Sequence, residues 1–346
     1  MSILKIMISY ILVIAALNVQ AADDNLYTFQ PGHASLKEWL LPDKVPFPAD
    51  NEPNADRVAL GKMLYFDPRL SGDGNLSCSD CHNPSLGWSD GQATAKGVKS
   101  MVLGRASPTI INTAYNTIQM WDGRKKSLED QAMGPMEATV EMNMNIKRLF
   151  EWLNGNAGYK MLFARAYPGE DISAATLSKA MASFERTAIS NNSPFDRWVK
   201  GDAKAMTPQQ VDGFKLFAGK AHCSECHSAP NFTDNGFHNV GLPSYGAPEP
   251  DMGRYAQKPV KSMRGAFKTP TLRDINTNAP YFHDGAAHTL TEVVEHYNKG
   301  GVIKTDLSPS IKELGLTQAE KDSLVSFLHA LTSPFQAVSL PDLPKP

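Results

Sequence analysis

The sequence predicts an all-α protein built from two similar units, and three observations carry that prediction. Apolar residues recur at helical spacing behind recognisable N-terminal caps, and alternating strand patterns are sparse. A weak internal repeat places one Cys-x-x-Cys-His motif in each half. The chain has 346 residues, a length that suits two domains, and 42% hydrophobic content suffices for a real core. Its formal charge of -2 leaves no basic field for nucleic acid or a charged membrane surface.

The elements follow in order along the chain. Met1 to Lys5 form a short basic stretch, Ile6 to Leu17 an apolar run, and Val19-Gln20-Ala21 a small-residue cleavage site. This reads as a secretory signal peptide over residues 1–21, removed near Ala21 or Ala22. The apolar run is too short for a membrane span, which takes ~20 residues, and no later segment looks transmembrane. An irregular, proline-containing stretch reaches about Pro53. Ser173 is expected to cap a helix through Leu177, Met181 and Phe184. Asn191 to Ala205 looks like a linker, which divides the mature chain into domains over 22–195 and 196–346. Thr207-Pro208-Gln209-Gln210 is a capping box that opens a helix through Val211, Phe214 and Phe217. Thr289 with Glu292 caps another, carrying Leu290, Val293, Val294 and Tyr297, stopped by Gly300-Gly301. Thr317 with Glu320 caps the last, with Leu324, Phe327, Leu328 and Leu331 on one face. A proline-rich tail from Pro341 closes the chain.

The repeat flanks the motifs. Leu60-Gly61-Lys62-Met63-Leu64-Tyr65-Phe66 precedes the first as Gly213-Phe214-Lys215-Leu216-Phe217 precedes the second. Trp88-Ser89-Asp90-Gly91 follows the first as Phe232-Thr233-Asp234-Asn235-Gly236 follows the second.

The motifs are Cys78-Ser79-Asp80-Cys81-His82 and Cys223-Ser224-Glu225-Cys226-His227, and they use all four cysteines. Two thiols three residues apart reach the two vinyl groups of a haem, and the adjacent His becomes the proximal iron ligand. A zinc ribbon would need the two pairs roughly 15–20 residues apart, whereas Cys81 and Cys223 are 142 apart. A redox dithiol would need a βαβ setting and has no use for the following His. Two covalent haems c are therefore expected, with His82 and His227 as proximal ligands.

From about residue 54 to 332 the chain resembles the bacterial di-haem cytochrome c peroxidase and MauG family. The resemblance rests on both motifs together with Ser107-Pro108-Thr109 and Asn112, Trp121-Asp122-Gly123-Arg124, Gln131-Ala132-Met133-Gly134-Pro135 and Glu141. It continues through Thr269-Pro270-Thr271-Leu272-Arg273 and Pro280-Tyr281-Phe282-His283-Asp284-Gly285. It implies two cytochrome-c-like domains, a peroxide-reactive haem on the first and an electron-transfer haem on the second. By the same resemblance Trp121 stands between the haems, and Gln131 and Glu141 form the distal pair on the reactive haem. Glu141 is then the acid/base of O–O cleavage, in a pocket that Pro135 helps to shape.

Three departures narrow the branch. Family peroxidases often hold a second His on the reactive haem until reduction releases it, but no His occurs between His82 and His222. The first haem is thus expected to be open in the oxidised protein. Cytochrome c peroxidases place a Met fourteen residues after the His of Tyr-Phe-His; here that position is Tyr297, as in MauG-type enzymes. Neighbouring His296 points roughly 100° away on a helix, and His238, His283 and His288 are looser candidates. The family often binds calcium between the haems, through an Asn ahead of Ser-Pro-Thr and two carbonyls. Here the Asn position is Ala106, and the carbonyl positions map to Asn278 and Pro280.

The resemblance implies a periplasmic oxidoreductase that uses hydrogen peroxide, and three versions differ in the partner. A MauG-like enzyme oxidises Trp or Tyr side chains of a partner protein. A cytochrome c peroxidase takes electrons from a small cytochrome or cupredoxin. A non-enzymatic carrier or redox sensor would not need Gln131 and Glu141.

Overall fold

The computed structural model describes residues 26–345, so the expected signal peptide lies outside the described residues. The fold is mainly helical. The first half contains α1 (Ala55–Phe66), α2 (Cys78–Cys81), α3 (Leu128–Glu137), α4 (Ile146–Gly155), α5 (Ala157–Ala166) and α6 (Ala174–Glu185). The second contains α7 (Pro194–Val199), α8 (Pro208–Ala218), α9 (Leu290–Asn298) and α10 (Gln318–His329). Only one small sheet occurs among the described residues, β1 (Phe237–His238) antiparallel to β2 (Phe267–Lys268).

Local chemistry sets the helix starts. Ser173, Thr207, Thr289 and Thr317 each cap the helix expected of them, with the residue at the third helical position returning a hydrogen bond to the cap. Long loops join the helices, and short 3-10 turns give them most of their regular structure.

The repeat is a packing device. In the first half α1 crosses α6, and a Cβ on Gly61 would collide with the Ala180 carbonyl oxygen. In the second half α8 crosses α10, and a Cβ on Gly213 would collide with the Ser323 carbonyl oxygen. One glycine in each half lets two helix backbones touch. Around the first crossing Leu60, Leu64, Leu177, Met181, Tyr159 and Phe163 form a core. Around the second, Phe195, Phe214, Phe217, Leu324, Phe327 and Leu331 form another.

Packing divides the chain differently from the expected 22–195 and 196–346 boundary at three places. The stretch expected as a linker contains α7, started by a Ser193 capping box, and buries Phe195 and Trp198 in the second core. The segment around Leu36 and Trp39 belongs to the second core as well, although it precedes the whole first half. Conversely the C-terminal tail returns to the first half, where Asn156 Nδ2 donates to the Lys345 carbonyl oxygen and Lys62 to Ser339. The first two of these are fastened by one ion pair. Arg273 and Asp196 are both fully buried with N···O at 2.8 Å, and Arg273 Nη2 also donates to the Trp39 and Pro230 carbonyl oxygens.

Candidate functional site

Two cavities, of about 470 and 270 Å³, lie one in each half. Cys78, Cys81 and His82 line the first, and Cys223, Cys226 and His227 line the second. In each motif the His backbone N–H donates to the carbonyl of the first cysteine at 2.9 Å, which folds the five residues into one tight turn. Ser77 strengthens the first turn by a capping box with Asp80.

Both imidazoles are oriented the same way. His82 Nδ1 lies 2.9 Å from the Pro108 carbonyl oxygen, and His227 Nδ1 lies 2.9 Å from that of Phe232. A carbonyl only accepts, so Nδ1 carries the proton and Nε2 keeps its lone pair. Burial pushes both rings toward the neutral form, His227 to about 4. A neutral imidazole with a free Nε2 is what an iron ligand requires. The thiols are no poised redox pairs, because burial pushes Cys81 up to about 11 and Cys223 to about 12. Each cavity therefore fits a covalently attached haem, with two cysteines for the vinyl groups and one His for the metal.

Beyond these ligands the two cavities differ. Gln131, Pro135 and Glu141 all line the first. Gln131 and Pro135 sit on α3, whose start is capped by Ser127. Glu141 follows in a turn whose carbonyl accepts from Val98 N–H at 2.7 Å. Burial raises the Glu141 carboxyl above its usual range, and Arg124 partly opposes the shift. Among the described residues His82 is the only histidine lining this cavity.

The second cavity is lined by Tyr297, from α9. Burial raises its phenol well above the ordinary value, and Cys226 and Cys223 push in the same direction. The other histidines are otherwise engaged. His296 Nε2 lies 2.8 Å from the Val240 carbonyl oxygen, His238 pairs with Asp234 at 2.8 Å, and His288 is exposed. His283 stacks on Phe267, with ring centroids 3.4 Å apart.

The internal repeat accounts for this contrast. Met120 and Phe282 share a positive φ (72° and 71°), and paired bridges Gln119–Lys125 and Tyr281–Ala287 follow at the same spacing. Ser127 and Thr289 then cap α3 and α9. Counting from these landmarks, Trp121 corresponds to His283 and Pro135 to Tyr297. Where one half presents a phenol to its cavity, the other presents a proline, which has no donor atom.

Trp121 lines both cavities. Its Nε1 donates to the Ala106 carbonyl oxygen at 2.9 Å, and its own carbonyl accepts from Lys268 N–H of β2 at 2.8 Å. Ala106, Asn278 and Pro280, the positions considered for calcium, all line the second cavity. The Ala106 carbonyl is committed to Trp121, and Asn278 Nδ2 donates to the Gly87 carbonyl oxygen at 2.8 Å.

Sequence reasoning missed Glu185. It lines the first cavity from the inner face of α6, one turn after Met181, and its Oε2 is buried without a hydrogen-bond partner among the described residues. A charged residue on the apolar stripe of a capped helix was the available signal. Burial pushes its carboxyl up from 4.5 to about 8, with nearby Arg186 opposing the shift and Glu129 adding to it. The folded state thus holds a proton that the unfolded chain releases, so this group's contribution to stability is present below pH ~4.5 and lost as pH rises toward 8. In Glu185→Gln, urea unfolding of the holoprotein is expected to show a flatter decline between those limits than in the unsubstituted protein.

The family model for di-haem cytochrome c peroxidase matches residues 55–204. The methylamine utilization protein MauG of Methylorubrum extorquens is 44% identical over 313 residues, 90% of this chain and 88% of that protein. The cytochrome c551 peroxidase of Nitrosomonas europaea is 35% identical, covering 86% of each chain. Among solved structures, a MauG-like protein associated with microbial copper homeostasis superposes with a TM-score of 0.78 at 31% identity, covering 85% of this chain and 95% of that one.

Proposed function

The chain belongs to the di-haem cytochrome c peroxidase family, and from that membership we propose that its two haem sites do different work, in the manner of MauG. As a member it is a peroxide-dependent oxidoreductase with two c-type haems. In this reading His82 and His227 would hold the two haem irons, Tyr297 would supply a second ligand in the second cavity, and the first cavity would leave room for peroxide. The observation that carries the proposal is the contrast between Pro135 and Tyr297 at matching positions of the two cavities.

A haem held in the first cavity would supply redox chemistry for cleaving peroxide. Around it Glu141 accepts the proton from the near peroxide oxygen and delivers it to the departing one, while the Gln131 amide orients the bound molecule. Glu141 suits both halves of that task because its raised pKa brings gain and loss of the proton closer to neutrality. Trp121, shared by both cavities, links them electronically, and its hydrogen bond to Ala106 fixes the ring.

The donor in this reading is an oxidisable aromatic side chain of a partner protein in the periplasm. The identity shared with cytochrome c551 peroxidase favours a second reading, in which a small cytochrome or cupredoxin supplies the electrons. Calcium, if bound, would use the Asn278 and Pro280 carbonyls without the side-chain oxygen that Ala106 lacks.

The absorption and EPR spectra of the fully oxidised holoprotein test the assignment of the two sites. One high-spin and one low-spin haem are expected, and Tyr297→Phe should abolish the low-spin signature while sparing the other. Two low-spin haems in the oxidised protein would sink the open-site reading.

A further inference from the structure

A line of aromatic side chains runs from His227 to the surface. The imidazole donates to the Phe232 carbonyl oxygen, and the Phe232 ring centroid is 4.9 Å from Trp39. Phe217, which lines the second cavity, offers a parallel step of 6.2 Å to the same indole. Trp39 is 5.9 Å from Tyr27, which is half-buried at the surface. The Tyr27 hydroxyl donates to the exposed Glu38 carboxylate.

The neighbouring rings of Phe195, Phe214 and Phe327 fill space and resist oxidation, while the same core also holds Trp198 and Tyr281. The line to the surface ends on an indole and a phenol, the two aromatic side chains that give up an electron most readily. Trp39 Nε1 is buried, and among the described residues no carboxylate or carbonyl oxygen accepts from it, its polar neighbour being the Tyr27 hydroxyl. Tyr27 has such an acceptor in Glu38. Burial and that hydrogen bond raise the phenol to about 12, so it is protonated at neutral pH and must release its proton when oxidised.

We propose that Trp39 and Tyr27 form the electron port of the second unit, at which the external donor meets the protein. The proposal rests on the peroxidase reading and adds the place of electron entry. For each oxidising equivalent Tyr27 passes one electron inward through Trp39 and Phe232 and its phenolic proton to Glu38, leaving a neutral phenoxyl radical. The donor returns one electron to that radical and Glu38 returns the proton. Two such cycles supply the two electrons that one hydrogen peroxide consumes.

The test uses oxidised holoprotein mixed with one equivalent of hydrogen peroxide without donor, frozen at intervals for EPR and followed by absorption. A tyrosyl radical is expected that narrows when the protein carries ring-deuterated tyrosine and is absent in Tyr27→Phe. In that variant the initial haem response should be unchanged and its donor-free decay slower by about tenfold. Trp39→Phe should slow the decay likewise, and Tyr27→Phe, which keeps its ring packing, carries the test should Trp39→Phe fold poorly. A normal haem response with an unaltered radical and decay in Tyr27→Phe would overturn the port and leave the peroxidase reading standing. Absence of any haem response in the unsubstituted protein would overturn both.

Discussion

Glu141→Gln is expected to slow the reaction of the holoprotein with hydrogen peroxide by about 10²–10⁴-fold, the usual worth of a positioned acid/base. The amide fills the same volume and can still hydrogen-bond, so the cavity and the haem spectra should persist. What is lost is the ability to take a proton from one oxygen and give it to the other. The pH profile separates this role from a structural one. Glu141 must be ionised to accept the first proton, and burial raises its pKa above 4.5. The rate should therefore fall with decreasing pH along a limb centred above 4.5, and Glu141→Gln should lack that limb. Stopped-flow mixing across pH 4–8 would measure it (~0.5-unit steps suffice to place the limb). An unchanged limb in the variant would assign it to another group, for which Glu185 in the same cavity is a candidate.

Asp196→Ala is expected to destabilise the holoprotein by about 3–5 kcal/mol, because it leaves the fully buried Arg273 guanidinium uncompensated. The same guanidinium holds the Trp39 carbonyl at 2.8 Å, so the loss should loosen the N-terminal segment from the second core. Replacing both partners with apolar residues of similar volume should cost much less, since no unpaired charge then remains. Urea unfolding of the single and double variants would measure the difference. Equal losses would mean that packing, not charge compensation, dominates at this point.

What the chain reveals before folding is mostly local. The helices behind Ser173, Thr207, Thr289 and Thr317 were legible because a cap and its partner are three residues apart. The role of α7 was not, because Asn191 to Ala205 has the polar, proline-containing look of a connection. Its burial comes from Phe195 meeting Trp39, Phe214, Phe232 and Phe327 and from Trp198 meeting Phe214, contacts that only the fold brings together. The placement of Trp39 on the second core is long-range in the same way.

The candidate site divides along similar lines. The two Cys-x-x-Cys-His motifs are contiguous and could be read directly, whereas Gln131, Glu141 and Tyr297 were legible only through resemblance. The match between Pro135 and Tyr297 required the positive φ at Met120 and Phe282 to fix the register of the repeat. Glu185 stayed hidden because a carboxylate at a helix end is ordinarily solvated, and only the fold puts this one inside the first cavity.

The central claim is the asymmetry of the two haem sites, open beside Glu141 and closed by Tyr297. It is tested most directly by adding one equivalent of hydrogen peroxide to the fully oxidised holoprotein, without reductant, and recording both haem spectra. The account predicts an immediate change at both haems that decays slowly. A protein that stays unreactive until one haem has been reduced would contradict it.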